Sequence, residues 1–312
     1  MRYVKNEWIK IWSQKNAWAM LIILFALIGL MAGLTKYFDS DQSTTEKRLA
    51  ANEEKLSYYN EMLAMDDLAE EDKIYFEEQK LIAQYRIDND MKNMDATTFS
   101  THMDGSTTMI AAMIGIFVVV IAAGIVSSEF GTGTIKMLLT RPVARWKILL
   151  SKLVASMLYG VVLLLGGLAF AAILGVVLFG TDSTPLLSVV NGAVVEQQAT
   201  SAFLETLLYS SASIIITILF AFMIGSLFGS STLAVGLSLV LLLMGSTLTM
   251  FLAQYEFAKY IWFANDLVQY SPGSSPIISG LTLEFSLFVN VVYAIIFLAI
   301  TFFYFIKRDI TA

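Results

Sequence analysis

The chain has 312 residues, of which 57% are hydrophobic and 15% charged, and its mean hydropathy is +0.69. Soluble globular domains carry about a quarter charged residues, so this composition excludes that class and indicates an integral membrane protein. There is no cysteine, which excludes disulfides, thiolate metal sites and thiol redox chemistry.

Six stretches of the sequence are apolar for about 20 residues or more, the length that an α-helix needs to cross a bilayer. The predicted fold class is therefore an all-α membrane protein with six transmembrane helices. The spans are predicted at 17–37, 106–128, 151–179, 206–229, 232–254 and 284–306.

Residues 1–16 are predicted to form an amphipathic helix that lies along the membrane surface before the first span. Its apolar residues recur at spacings of three and four, and they are Val4, Trp8, Ile11 and Trp12. Basic residues surround them. The first span, 17–37, lacks a small-residue cleavage site after a short apolar core, so we expect that span to stay as an anchor and not to be a removable signal peptide. The alternative is a basic flank that only orients the first span.

The basic residues predict the topology. Residues 1–16, 129–152 and 307–312 carry eleven Lys and Arg against three acidic residues, whereas the opposite side carries nine against twenty-three. Short loops rich in Lys and Arg stay in the cytoplasm. Both termini, including the tail 307–312, and the loop 129–150 are therefore expected to be cytosolic.

Residues 38–105 are predicted to form a small helical extracellular insertion, with seventeen acidic and seven basic residues over 39–105. Two helical stripes support an antiparallel pair, one of Leu49, Leu56, Tyr59 and Leu63 and the other of Ile74, Leu81 and Tyr85. Asp67 is expected to cap the second helix. The insertion either contacts a substrate or partner or, as we favour, is a solvated acidic spacer.

The remaining links are predicted from their turn residues and aromatics. Residues 180–205 are expected to form an extracellular loop, and Gly229-Ser230-Ser231 a tight cytosolic turn. The segment 255–283 holds interface aromatics and two prolines, so we expect short helices that dip into the outer leaflet before the sixth span.

Several kinds of chemistry are absent from the sequence. The predicted spans have no ionisable residue at depth, which argues against a carrier driven by an ion gradient. No phosphate-binding loop is present, so the chain is not expected to be an enzyme that hydrolyses a nucleotide. The single histidine, His102, is predicted to lie in the outer loop beside Asp104, as a surface residue rather than a metal ligand.

A charged stretch separates the second and third predicted spans. It reads S-E-F-G-T-G-T-I over 128–135, L-L-T-R-P-V-A-R over 138–145 and I-L-L-S-K over 148–152. This order resembles the signature of ABC-2 type transporter permeases: an acidic residue, a Gly-Thr pair, a Leu-Leu, a proline before an aliphatic residue, and a lysine opening the third span. The six-span plan agrees with that family, and the acidic insertion resembles that of antibiotic-resistance permeases of Gram-positive bacteria.

The resemblance implies that residues 129–147 form a coupling helix and gate turn that dock on a separate ATP-binding subunit. The implied coupling residues are Glu129, Phe130, Gly131, Thr132, Gly133, Thr134, Arg141, Pro142, Arg145 and Lys147.

The local chemistry of the loop suits this role. Gly131 and Gly133 permit a sharp exit from the second span, and a threonine beside them can cap the next short helix. Pro142 would end that helix, since the residue before a proline disfavours the α conformation. Arg141 and Arg145 would then face the ATPase or anionic lipid; the alternative is that the cations of the loop only enforce topology.

The resemblance also implies the partners and the location. They are an ABC ATP-binding subunit, a second permease in a homodimer or heterodimer, and the lipid bilayer, with no nucleic acid. ATP and Mg would be bound by the partner subunit, and this chain would bind no cofactor. The assembly would be an exporter in the bacterial plasma membrane, associated with multidrug or antibiotic resistance.

A translocation path is implied between two permeases, lined mainly by spans two and five. Its polar candidates are Thr107, Thr108, Ser246, Thr247 and Thr249, although hydroxyls also bond back to their own helices. So apolar a path suits a hydrophobic or amphipathic cargo such as a lipid, peptide or antibiotic.

The alternative function is a membrane sensor or immunity protein that transports nothing. Seventeen carboxylates in the insertion would attract a cationic antimicrobial peptide. An ATPase that copurifies with the chain would favour the transporter.

Overall fold

The computed structural model describes residues 2–39, 44–65, 68, 70–92, 97–134, 143–182, 184–190, 192–272, 274, 276–278 and 280–307. Over these residues the chain forms α-helices, one two-stranded hairpin and three short 3-10 helices. The α-helices are α1 (Arg2–Ser13), α2 (Lys15–Tyr37), α3 (Thr45–Leu63), α4 (Glu70–Asp88), α5 (Phe99–Gly131), α6 (Arg145–Phe179), α7 (Ala199–Leu227), α8 (Ser231–Leu252) and α9 (Leu283–Lys307).

Six of these helices, α2 and α5 to α9, are long and apolar enough to cross a membrane. This confirms the predicted fold class, and the protein is a multi-pass membrane protein. Some helices extend beyond the apolar stretches that predicted them. The helix α5 begins at Phe99 rather than 106, α6 at Arg145 rather than 151, and α7 at Ala199 rather than 206.

The early start of α5 corrects the position predicted for His102 and Asp104, which lie on this helix and not in a loop. The physical reason is a cap that apolar periodicity does not detect. The hydroxyl of Thr101 accepts the Thr98 amide at 2.9 Å, and the Thr98 hydroxyl accepts the Thr101 amide at 3.4 Å. His102 is only 6% exposed, so the expectation of a surface residue was wrong.

The chain divides into two compact units. The first comprises Met1–Ala26, Thr107–Leu168 and Leu207–Ala312, and the second comprises Leu27–Ser106 and Ala169–Thr206.

In the second unit, α3 and α4 form an antiparallel helical hairpin. Arg48 lies near the start of α3, and Asp90 lies just past the end of α4. The Arg48 guanidinium donates to the Asp90 carboxylate at 2.6 and 2.9 Å. This bond lowers the pKa of Asp90 and raises that of Arg48. At the other end, the rings of Tyr59 and Phe76 lie 6.3 Å apart. The predicted pair of helices is thus present.

The apolar stripes predicted for this hairpin are partly wrong. Leu49 is 40% exposed, Ile74 58% and Leu81 42%. The buried positions include Ile82 and Ala83 instead, because α4 packs on both α3 and the β-hairpin described next. Asp67, the predicted cap, lies outside the described residues.

The loop predicted over 180–205 contains a β-hairpin. Its strands, β1 (Leu186–Val190) and β2 (Ala193–Gln197), are antiparallel, with Leu187 opposite Glu196. The sequence Asn191-Gly192 between them is typical of two-residue hairpin turns, and Gly192 has a φ of 78°. The hydroxyl of Tyr85 on α4 donates to Glu196 at 3.1 Å, which raises the pKa of Tyr85.

The first unit is built around the close approach of α5 and α7. A Cβ at Gly225 on α7 would overlap the backbone of Ala123 on α5, so only glycine fits there. The helix α8 follows α7 after a short turn, and its Ser231 hydroxyl lies 3.4 Å from that of Ser127 on α5.

Three 3-10 helices connect α8 to α9: η1 (Glu256–Tyr260), η2 (Trp262–Asn265) and η3 (Leu267–Tyr270). The side chain of Asn265 donates to two carbonyls of this segment, while Asn290 on α9 donates to the Asn265 carbonyl at 2.6 Å. Trp262, predicted as an interface aromatic, is only 7% exposed and packs against Phe220. This polar network fixes the three short helices, and the two prolines of the segment, Pro272 and Pro276, lie after η3.

We expect Gly225→Ala to destabilise the protein by about 1–3 kcal/mol, because the new methyl group forces α5 and α7 apart. The control is Gly236→Ala on α8, where an added Cβ meets open space. Thermal unfolding in detergent, followed by tryptophan fluorescence, measures both. A Gly225→Ala variant that unfolds at the wild-type temperature would contradict the close approach.

Candidate functional site

Four charged side chains meet where α5 ends and α6 begins. Both Lys152 on α6 and Lys10 on α1 donate to the same oxygen of Glu129 on α5, at 2.6 and 2.7 Å. Lys152 also donates to Glu7 on α1, at 2.9 Å. We call these residues, Glu7, Lys10, Glu129 and Lys152, the charge cluster.

The core of the charge cluster is removed from water. The side chain of Lys152 is 0% exposed, that of Glu129 2% and that of Glu7 13%, whereas Lys10 reaches the surface at 43%. Buried ions are tolerated only when paired, and two carboxylates against two ammonium groups leave no net charge. One oxygen of Glu129, Oε2, is buried without a hydrogen-bond partner among the described residues.

The sequence of α1 explains how it reaches this position. Ile11, on the predicted apolar face, is 1% exposed, and the Trp12 ring lies 5.5 Å from that of Tyr159 on α6. Packing of that face turns Glu7 and Lys10, three residues apart, toward the ends of α5 and α6. The apolar face of α1 therefore makes the helix amphipathic and also packs against other helices of the chain, including α6.

Glu129, the first of the predicted coupling residues, is buried and bonded to lysines of α1 and α6. Its contact with another subunit stays a prediction. Phe130, which follows it, packs its ring 6.1 Å from Phe305 on α9, and Gly131 ends α5. The first three predicted coupling residues thus belong to the last turn of a membrane helix.

The next three predicted residues form the exposed start of the α5–α6 connection, which we define as residues 132–144. The Thr132 hydroxyl donates back to the Ser128 carbonyl at 2.8 Å and lies 3.0 Å from that of Thr134. Gly133 has a φ of 71°, a left-handed conformation that favours glycine and turns the chain away from α5.

The remaining predicted coupling residues are divided. Arg141 and Pro142 lie outside the described residues. Arg145 begins α6 and donates to the carbonyl of Ile306 near the end of α9, at 3.0 Å. Lys147 is exposed, with its ammonium 5.5 Å from the ring centre of Trp146, itself 46% exposed. Lys147 and Trp146 therefore offer a surface, whereas Arg145 joins two helix ends.

The five hydroxyl residues predicted for a translocation path do not all lie together. Thr108 and Ser246 line one cavity of about 450 Å³, formed by α5, α7, α8 and the segment η2–η3. Thr107 is fully buried, Thr249 bonds back to the Gly245 carbonyl at 2.9 Å, and Thr247 is exposed without lining this cavity.

Sequence reasoning missed the partners of Glu129. Lys152 was noted only as part of the motif, and Glu7 and Lys10 only as flanking charges. An available signal was the helical spacing of Glu7 and Lys10 on the edge of the apolar face of α1. Within the described part of the chain, no group of three His, Asp or Glu side chains could hold a metal ion.

The sequence matches a family described as a protein of unknown function (DUF2705), over residues 72–311. The chain belongs to this family. The match includes Glu129 and Lys152, and it excludes α1 with Glu7 and Lys10.

Two similar proteins come from Bacillus subtilis (strain 168). The "Uncharacterized protein YhcI" is 35% identical over 316 residues, which cover 99% of this chain and 99% of YhcI. The "Uncharacterized membrane protein YdbK" is 33% identical over 198 residues, or 62% of this chain and 76% of YdbK. The second name agrees with the six membrane-spanning helices found here.

Replacement of Lys152 tests the charge cluster. We expect Lys152→Met to cost about 3–5 kcal/mol, because it leaves a buried carboxylate without its cation. The matched control, Lys10→Met, should cost less than about 1 kcal/mol, since that lysine is partly solvated. Thermal unfolding by tryptophan fluorescence compares them, and equal losses of stability would argue against a buried cluster.

Proposed function

We propose that this protein is the membrane subunit of an ABC-2 type transporter, which exports a hydrophobic or amphipathic substrate using ATP hydrolysed by a separate subunit. The observation that carries this proposal is the charge cluster. It joins α1, α5 and α6 where the α5–α6 connection leaves the helices, and the motif that resembles the permease signature flanks that connection.

A transport subunit without its own nucleotide site must receive mechanical work through such a connection. Glu129 precedes the connection on α5, Lys152 follows it on α6, and the two side chains bond directly. Separating them would leave charges unpaired in a medium of low dielectric constant, which is strongly unfavourable. A displacement applied at the connection is therefore passed to α1, α5 and α6 together.

The exposed residues beside the cluster supply the docking surface in this proposal. Trp146 and Lys147 lie at the start of α6, and residues 131–134 are exposed at the end of α5. Aromatic and cationic side chains are common at the energetically important positions of protein interfaces. In this proposal these exposed residues contact the partner in place of Glu129 and Arg145, because the side chains of those two residues bond to other residues of this chain.

The residues in the middle of the spans bear on the energy source for transport. No Asp, Glu, Lys, Arg or His occurs over 16–35, 105–128, 153–179, 206–227, 231–252 or 285–306. A relay for protons or ions requires such groups within the bilayer. In this proposal an ATP-binding partner therefore supplies the energy for transport.

Charge asymmetry supports the orientation. The termini and the α5–α6 connection carry the basic excess, so we place them in the cytosol and the α3–α4 hairpin outside. Similarity to two Bacillus proteins supports the plasma membrane of a bacterium. The large apolar residues exposed on α8, among them Val240, Met250 and Phe251, would face lipid or a second permease.

We expect Lys147→Glu to reduce the ATPase activity stimulated by this chain in a purified complex with its ATP-binding subunit by about tenfold, by opposing the charge of the docking surface. The control is the same reversal at Lys80, an exposed residue of α4. ATP hydrolysis and copurification are measured together.

The outcomes separate the two candidate functions. Equal ATPase activity in the Lys147→Glu and Lys80→Glu complexes would contradict the docking surface. A chain that copurifies with no ATP-binding subunit, yet binds a cationic peptide through α3 and α4, would favour the sensor or immunity protein.

A further inference from the structure

The cavity between α5, α7, α8 and η2–η3 has the properties of a ligand site. Its volume of about 450 Å³ lies in the range of about 300–1,000 Å³ that is typical of small-molecule pockets. It lies toward the opposite end of α5 from the charge cluster, since it is lined by residues from Thr108 to Ile116. It therefore belongs to a different part of the molecule from the α5–α6 connection.

One residue of the cavity wall carries a buried hydroxyl without a hydrogen-bond partner in the described part of the chain. Ser210 on α7 is fully buried and is among the residues that line the cavity, and its hydroxyl has no hydrogen-bond partner among the described residues. A buried hydroxyl without a partner is unfavourable, so a ligand that bonds to it would gain affinity. Ser213 and Thr217, one and two turns along the same helix, add two more hydroxyls to the wall.

Apolar and aromatic side chains form most of the remaining wall. The rings of Trp262 and Phe263 lie 4.4 Å apart on η2, and both residues line the cavity. Such a wall accommodates a hydrophobic body, and the face of a tryptophan also attracts a cation.

The charged residues that line the cavity indicate which ligand charge the cavity favours. Asp266, between η2 and η3, is the charged residue among those that line the cavity, and it is exposed at the rim. It accepts the Val268 amide at 3.2 Å, which fixes its position. The described residues of the wall include no lysine or arginine, so the wall favours a cation and disfavours an anionic headgroup.

We propose that this cavity binds an amphipathic molecule with a protonated amine, whose apolar body lies between α5, α7 and α8 and whose amine lies at Asp266. The proposal rests on the proposed function only in assigning this ligand as the substrate. Binding itself requires no ATP-binding subunit.

The experiment uses the full chain in nanodiscs of phosphatidylcholine. The probe is a dansyl fluorophore carrying a protonated alkylamine, and its neutral counterpart carries a hydroxyl in place of the amine. Saturable binding is followed by energy transfer from tryptophan to dansyl. The wild-type protein should bind the amine at least about tenfold more tightly than the alcohol, because a charge-assisted contact is lost in the alcohol.

Two variants locate the binding. Asp266→Asn keeps the capping oxygen for Val268 and should abolish the preference for the amine. Gly115→Leu should weaken both probes by about tenfold or more, since an added Cβ meets no atom within 4 Å and the side chain fills the cavity. The control is Gly236→Leu on α8, which also meets open space but does not line the cavity.

A second arm identifies the source of the amine. Nanodiscs containing phosphatidylethanolamine should leave probe binding unchanged if the ligand is a small amphipathic amine, whereas competition would assign the site to a bilayer lipid with the same headgroup chemistry.

No saturable binding, or binding that is equal in the wild type, Asp266→Asn and Gly115→Leu, would overturn the proposal. Loss of ATPase coupling with intact amine binding would instead contradict the proposed function alone.

Discussion

The bond between Glu129 and Lys152 is the constraint on which this account of the molecule depends. Both side chains are out of water, so neither can lose its partner without leaving a charge in a poorly polarisable environment. The bond joins the end of α5 to the start of α6, and Glu7 and Lys10 extend it to α1. A buried ion pair of this kind adds little net stability compared with apolar residues, but it specifies one arrangement of three helices.

That arrangement gives the α5–α6 connection a mechanical context. The connection joins the end of α5 to the start of α6, and Glu129 and Lys152 near these two helix ends bond to each other. Arg145 bonds the start of α6 to the end of α9. Toward the start of α5, between Thr108 and Ile116, lies a cavity whose wall includes the exposed Asp266 and the buried Ser210, and the Ser210 hydroxyl has no partner among the described residues. A single long helix thus bears both the proposed receiver of work and the proposed ligand site, which is the property expected of a permease in which the two are coupled.

Much of the fold was predictable because the lipid bilayer determines how long and how apolar a membrane-spanning helix must be. A bilayer imposes about 20 apolar residues per span, and six such stretches are visible without a structure. Helix ends were less predictable, since polar caps such as Thr98 and Thr101 extend α5 beyond its apolar stretch. The β-hairpin was missed although Asn191-Gly192 between two valine-rich runs is a strong turn signal. Helical spacing places Glu7 and Lys10 on one edge of α1, but it does not show that Lys10 and Lys152 bond to Glu129, because those contacts form by tertiary packing between residues 119 and 23 positions apart.

The most direct test is a double-mutant cycle on thermal unfolding with Glu129→Gln, Lys152→Met and the two combined. We expect the combined variant to unfold at a higher temperature than Lys152→Met alone, because removal of both groups leaves neither without its partner, with a coupling free energy of about 1–3 kcal/mol. If the two single effects add without coupling, Glu129 and Lys152 are not a buried pair, and the mechanical role assigned to the charge cluster is contradicted.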